Sequence, residues 1–397
     1  MKIAGIIAEY NPFHNGHALQ IWQTRQAKAT HIVAVMSGNF VQRGDVALFS
    51  KWVRAKACVK SGVDLVIELP TPFAMAPARD FAYAGVFLLN QLGIEMLSFG
   101  SECGDIKKLQ QAAHYVEVAE QSEQIACYLK QGNSYPKSRA LAVQDLYGAD
   151  WANLIHTPNN LLGIEYIKSI WRLNRSIEPF TISRVGVAHD QVGTQNITSA
   201  SHIRTLLLQG QWEQSRRYLP DTAWSCYQLE LAQKYAPCCM EQLDAVLLYR
   251  LRTSSPKELV TIADMTEGFE NRVWQAGRQC HSFAECIDFL VTKRYSRARI
   301  RRILWNILLG INQDDFLKQP QYLRVLAANE RGIALLRQAK KVSQITISSK
   351  FANLVRAGFT QAAFEATATD IYALTSPVVQ PANREYIEPF YLDKMCK

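Results

Sequence analysis

Two histidines three residues apart, His14 and His17, stand with Gly16 between them just after an apolar run, Ile3 to Ala8. The run is short, β-branched and ends at a turn signal, which reads as a buried strand. Pro12 removes a backbone donor and disfavours helix at Asn11, so the strand should end there. Beyond His17, the apolar positions Leu19, Ile21 and Trp22 begin a helical pattern. Strand, loop and helix would bring both imidazoles to a helix N-terminus, where unpaired N–H groups and a partial positive charge attract anions. Gly16, lacking a Cβ, would let a nucleotide approach the backbone. The chemistry that suits such a site is attack on the α-phosphorus of ATP with release of pyrophosphate. Charge then builds on the phosphoryl oxygens, and donors aimed at that charge lower the barrier. With 8 His and 20 Gly in 397 residues, chance supplies a His-x-Gly-His roughly 0.008 times. A paired-histidine metal site would need further ligands, and no His, Cys or carboxylate cluster nearby completes one.

A second stretch, Thr198-Ser199-Ala200-Ser201-His202-Ile203-Arg204, opens another helix. Its Thr and Ser are good N-caps and apolar periodicity follows. Hydroxyls at a helix start followed by a basic residue make a second phosphate cradle. A third stretch runs from Lys293 to Trp305. Ile300, Ile303, Leu304 and Ile307 recur at helical spacing and should face a core. Lys293, Arg294, Arg297, Arg299, Arg301 and Arg302 would crowd the remaining surface, and so dense a run of one sign suits a phosphate backbone.

The string Ala8-Glu9-Tyr10-Asn11-Pro12-Phe13-His14-Asn15-Gly16-His17 resembles the HxGH signature of the nucleotidyltransferase superfamily. Within it, the string resembles the bacterial tRNA(Met) cytidine acetate ligases. Thr198 to Arg204 is similar to the superfamily's ISSTxxR motif, and Pro158-Asn159-Asn160-x-Leu162-Gly163 to a further family segment. The resemblance implies that His14 and His17 are catalytic. It implies that ATP is bound by Ile7, Ala8, Glu9, Tyr10, Asn11, Pro12, Phe13, His14, Asn15, Gly16 and His17. Gly100, Asn159 or Asn160, Arg184, Thr198, Ser199, Ser201 and Arg204 would complete that set. It also implies a reaction: acetate and ATP give acetyl-adenylate, whose acetyl group passes to N4 of the wobble cytidine of elongator tRNA(Met). Arg43, Lys51 and Arg54 are candidates for holding acetate. Mg²⁺ is expected with the triphosphate from ATP chemistry rather than from ligand residues. Two other readings stand beside this one. The first is an adenylyl transferase acting on a small phosphate ester, for which the basic C-terminal region is excess. The second is a non-catalytic RNA-binding protein with a vestigial ATP pocket, against which intact His14, His17 and Arg204 argue.

The elements that must position these residues alternate. His31–Met36, Asp64–Leu69, Glu95–Phe99 and Phe180–Val187 read as strands, and 51–60 and 77–92 as helices; 105–130 reads as one long helix. Asn39–Asp45 reads as a loop. Alternation of this kind argues for a Rossmann-like α/β domain with a parallel sheet, whose ligands sit at the carboxyl ends of the strands. Past about Trp212 strands become hard to find. The expected division is therefore a catalytic domain over 1–220 and a mainly helical, basic, tRNA-binding domain over 221–397. The composition fits a soluble globular chain, with 48% hydrophobic and 20% charged residues. An excess of 44 Lys+Arg over 35 Asp+Glu gives a charge of +9 and favours a polyanionic partner. No apolar segment is long enough to span a bilayer, no signal peptide is visible, and nine scattered cysteines without C-x-x-C pairs read as reduced thiols. These features point to the cytoplasm.

Overall fold

Alternate residues of strand β1 (Ile3–Ala8) face opposite cores, as a strand buried on both sides requires. Ile3 and Ile7 join one hydrophobic cluster and Ala4 and Ile6 the other. The computed structural model describes residues 1–184, 196–315 and 319–394. Its strands are β1, β2 (His31–Ser37), β3 (Phe40–Val41), β4 (Asp45–Val46), β5 (Leu65–Leu69), β6 (Met96–Ser101), β7 (Glu178–Ser183), β8 (Tyr322–Asn329), β9 (Thr346–Ser348) and β10 (Tyr391–Asp393). The main sheet runs β10-β8-β5-β2-β1-β6-β7, with β9 paired to β8. All its pairings are parallel except β5 with β8. The order turns outward in both directions from β1 and its neighbours, so a crevice opens at the carboxyl end of β1.

Helices cover both faces. The helices Ala78–Gln91 and Pro158–Leu173 pack on one face through Phe81, Leu88, Ile164 and Ile167. The helices Lys51–Lys60, Ala200–Leu208 and Asp221–Ala232 pack on the other through Ala55, Ile203 and Tyr227. Each apolar side chain fully buried in this way contributes about 1.5–3 kcal/mol. A third core belongs to the helices Asp244–Thr253, Phe269–Gln279, Phe283–Leu290 and Arg297–Leu309. Phe40 and Val46 from the β3–β4 hairpin insert into it, with Phe40 edge-on to Trp305 at 5.1 Å.

The sheet topology corrects the expected division at Pro220. Strands β8, β9 and β10 return to the main sheet from the part of the chain read as helical. Strand β8 is buried along nearly its whole length and carries Arg324 in its middle, so it lacks the alternation that marks a half-exposed strand. Three smaller differences are local. The loop expected at Asn39–Asp45 contains the β3–β4 hairpin. The long helix over 105–130 is two helices, Ile106–Glu120 and Glu123–Lys130. Strand β7 ends at Ser183, and residues 185–187 of the expected Phe180–Val187 strand lie outside the described residues.

Candidate active site

The β1–helix junction is closed by the histidines themselves. His14 is the N-cap of the helix Asn15–Gln26, with extended backbone geometry. Its Nδ1 accepts the Gly16 N–H at 3.0 Å, and His17 Nδ1 accepts the His14 N–H at 3.2 Å. This is a reciprocal capping box built from two imidazoles rather than from Ser and Glu. The rings stack with centroids 3.7 Å apart, and Tyr10 lies edge-on to His17 at 4.8 Å. Because both Nδ1 atoms accept, both rings carry their proton on Nε2. Burial lowers the His14 pKa to about 3, helped by Arg184 and Arg204. Burial likewise holds His17 far below its ordinary value, with His14 and Arg184 adding to the effect. Each ring is therefore a neutral Nε2–H donor, and His14 Nε2 has no protein partner among the described residues. Gly16 has a use the sequence did not reveal. A Cβ there would lie 2.9 Å from Cε1 of His14, so the missing side chain makes room for the capping ring.

Both rings open on a cavity of about 370 Å³ at the carboxyl end of β1. Ile7, Ala8, Glu9, Tyr10, Asn11, His14 and His17 line it from the first loop, and Gly100, Asn159, Arg184, Ser199, Ser201 and Arg204 from later elements. Gly16 and Thr198 line an adjoining recess of about 270 Å³ that shares His14, His17, Gly100 and Arg184. Arg204 ties the two halves together by donating to the Asn11 carbonyl at 3.0 Å. Ser199 caps the helix Ala200–Leu208 by accepting the His202 N–H at 3.2 Å. Arg184 donates to Asn159 Oδ1 at 3.1 Å and lies across Gly100, where a Cβ would meet its Cδ at 2.9 Å.

Several expected residues support this cavity without lining it. Asn15 donates to the carbonyls of Asn196 and Arg217, both at 3.0 Å. Phe13 is fully buried, and Pro12 is not among the lining residues. The paired asparagines are placed differently. Asn159 faces the cavity, whereas Asn160 is buried, with Oδ1 on the Cys103 N–H and Nδ2 on the Leu154 carbonyl. Glu102 was missed. It accepts from both backbone N–H groups of the pair and from Asn159 Nδ2, at 2.6–3.1 Å. Burial pushes its carboxyl up, but these bonds outweigh burial and leave it below the ordinary value. Its position one residue past β6 was the available signal. The apolar wall of Phe81, Phe99, Leu162 and Tyr166 was also missed, because such residues at helix and strand spacing read as core.

The expected acetate-holding cations divide. Arg43, on the β3–β4 hairpin, lines the cavity. Lys51 does not: its ammonium is wholly buried and bonded to Glu68 and Glu385, with Arg324 on the far side of the same carboxylates. Burial pulls the Lys51 pKa down, yet Glu385 and Glu68 overcome it and hold it above its ordinary value. Arg54 is also wholly buried. It donates to the carbonyls of Phe49 at 3.0 Å, Glu9 at 2.6 Å and Ser37 at 3.1 Å, and to that of Gly38. Both are removed from the acetate set because their donors are already spent on the protein. The basic helix Arg297–Leu309 needs one similar correction. Lys293, Arg294 and Arg297 are exposed, and Arg299 and Arg301 are partly so. Arg302 is buried against Asp264 at 3.1 Å and is not on the surface.

Among the described residues no group of three His, Cys, Asp or Glu side chains is placed to hold a metal ion. No described helix is long and apolar enough to cross a membrane.

The sequence model of the HIGH Nucleotidyl Transferase family matches residues 1–386. The tRNA(Met) cytidine acetate ligase of Thermoanaerobacter sp. (strain X514) is 38% identical over 98% of this chain and 99% of its own. That of Clostridium perfringens (strain SM101) is 36% identical over 98% of both chains. The chain belongs to the tRNA(Met) cytidine acetate ligase family. A crystal structure of Thermotoga maritima TmcAL bound with alpha-thio ATP matches it with a TM-score of 0.91 and 29% identity, covering 100% of both chains. Likeness to the family therefore extends over both the sheet and the C-terminal helices.

Proposed function

We propose that this chain is an ATP-dependent ligase that acetylates the wobble cytidine of elongator tRNA(Met) at N4, through acetyl-adenylate. The observation that carries the reading is the pair of neutral Nε2–H donors at a helix N-terminus, facing Arg184 and Arg204 across one cavity. In the first step an acetate oxygen attacks the α-phosphorus and pyrophosphate leaves. His14 and His17 donate to the charge that grows on the phosphoryl oxygens, while Arg204, Ser199, Ser201 and Thr198 hold the outer phosphates. Asn159, Arg184 and Gly100 bound the nucleotide side. Arg43 is the cation assigned to the acetate carboxylate. Among the described residues Glu9 is the single carboxylate lining the cavity, which is too few for a protein-built metal cage. Mg²⁺ is accordingly assigned to the phosphate oxygens of ATP itself. In the second step the N4 amine attacks the acetyl carbon and AMP leaves. The tRNA lies along Lys293, Arg294 and Arg297, with Arg299 and Arg301 behind them.

The test is pyrophosphate–ATP exchange by the purified protein with and without acetate, followed by mass analysis of added tRNA(Met). Exchange that needs acetate, with one acetyl gained on cytidine, is expected. Exchange without acetate would instead favour adenylyl transfer, and no exchange at all a non-catalytic binder.

A further inference from the structure

The acetyl-transfer step needs a proton acceptor, and neither histidine is free to be one. An amine that attacks an acyl carbon must shed a proton before the amide is stable. His14 and His17 already carry theirs on Nε2, and each Nδ1 is occupied by a backbone N–H. Taking a second proton would make either ring a cation beside Arg184 and Arg204. The other cavity cations, Arg43 included, have no lone pair to offer. Burial holds the Tyr10 and Tyr166 hydroxyls protonated, well above their ordinary range.

Glu9 remains, the one carboxylate among the described residues that line the cavity. It sits just past the end of β1, on the loop that leads to the N-cap His14. Its Oε1 accepts the Gln42 N–H at 3.1 Å, and its backbone carbonyl is fixed by Arg54 at 2.6 Å. Its Oε2 has no protein hydrogen bond among the described residues. The carboxylate is thus oriented by one oxygen and open through the other, which is how a general base is held.

Resting on the acetate-ligase reading, we infer that Glu9 is the general base of acetyl transfer and takes a proton from the attacking N4 amine on Oε2. The balance is simple. The N4–C bond forms and the bond from the acetyl carbon to the AMP phosphate oxygen breaks. AMP leaves with the electron pair, and one amine proton moves to Glu9. Burial raises the Glu9 pKa against the pull of the Gln42 N–H, Arg204, Arg43 and Arg54. That shift makes the carboxylate a stronger proton acceptor.

Glu9→Gln keeps an oxygen for the Gln42 N–H and removes the base. Three rates are compared in wild type and variant: acetate-dependent pyrophosphate–ATP exchange, acetohydroxamate formation with hydroxylamine, and acetylation of tRNA(Met). Hydroxylamine is a strong nucleophile that needs no help from the protein. The ratio of tRNA acetylation to exchange should fall by about 10²–10⁴, while the ratio of hydroxamate to exchange stays within a few-fold. The acid limb of the wild-type transfer rate should vanish in the variant and return, displaced, in Glu9→Asp. An unchanged acetylation-to-exchange ratio would overturn the role and give the proton to the departing phosphate. Equal loss of all three rates would also overturn it, leaving Glu9 as a shaper of the ATP cavity. Wild-type protein without acetate-dependent exchange would instead remove the ligase reading, and this role with it.

Discussion

Two groups of cations lie close together in this molecule and are used in opposite ways. Lys51 and Arg54 are wholly buried, and their donors end on Glu68, Glu385 and four backbone carbonyls. Arg43, Arg184 and Arg204 line the cavity; Arg184 gives one Nη1 bond to Asn159 at the start of the helix Pro158–Leu173, and Arg204 one to the Asn11 carbonyl. The first group shapes the loops that end β1 and β2, and the second faces whatever enters. A positive residue becomes a ligand site only where the protein leaves donors unspent, and sequence does not record how they are spent.

The largest effect should come from the sealed group. Lys51→Met leaves Glu68 and Glu385 buried beside Arg324 alone, and should cost about 3–5 kcal/mol in urea unfolding. A variant of normal stability but lost exchange would break the distinction. Next comes the cavity. His17→Ala should lower acetate-dependent exchange by about 10²–10³, the loss expected for one preorganised donor, with the urea midpoint shifting far less than in Lys51→Met. Comparable shifts would merge the two groups. A smaller effect sharpens the state of the histidines. Folded His14 stays neutral down to about pH 3, whereas an unfolded histidine takes a proton near 6.5. As pH falls through 6.5 the unfolded state binds protons that the folded state refuses, so stability declines towards pH 3. His14→Asn keeps an N-cap acceptor and should remove about 1–2 kcal/mol of the stability difference between pH 7.5 and 5. An identical pH profile would mean the ring is not held neutral. The smallest effect should be at Arg43, where Arg43→Ala is expected to raise the KM for acetate by about tenfold, or 1.4 kcal/mol, with unchanged unfolding. An unaltered KM would move acetate recognition to backbone donors.

What could be read beforehand was local. The strand-to-helix step at His14, the Ser199 cap and the parallel alternation from β1 to β7 all rest on short-range patterns, and the structure contains each of them. What could not be read depends on contacts across the chain. Lys51 and Arg54 on an amphipathic-looking helix carry no sign that Glu385 and the Gly38 carbonyl await them. Strand β8 is an apolar run, and periodicity alone does not separate such a run from buried helix. Glu102 gave a positional hint but no motif. Gly16 was legible as necessary, but the room it leaves for the His14 ring was not, since that ring belongs to a residue two positions earlier.

The place of β8 has a consequence for how the chain is made. β5 finds its second neighbour only when residues roughly 250 positions later have emerged, and at about 5–20 residues per second that is a wait of about ten to fifty seconds. The second carboxylate that neutralises Lys51, beside Glu68, emerges later still, with Glu385. Throughout that interval the growing polypeptide presents an open sheet edge. The time that edge stays open is set by synthesis speed, so aggregation during synthesis is expected to depend on that speed as well as on the stability of the finished fold.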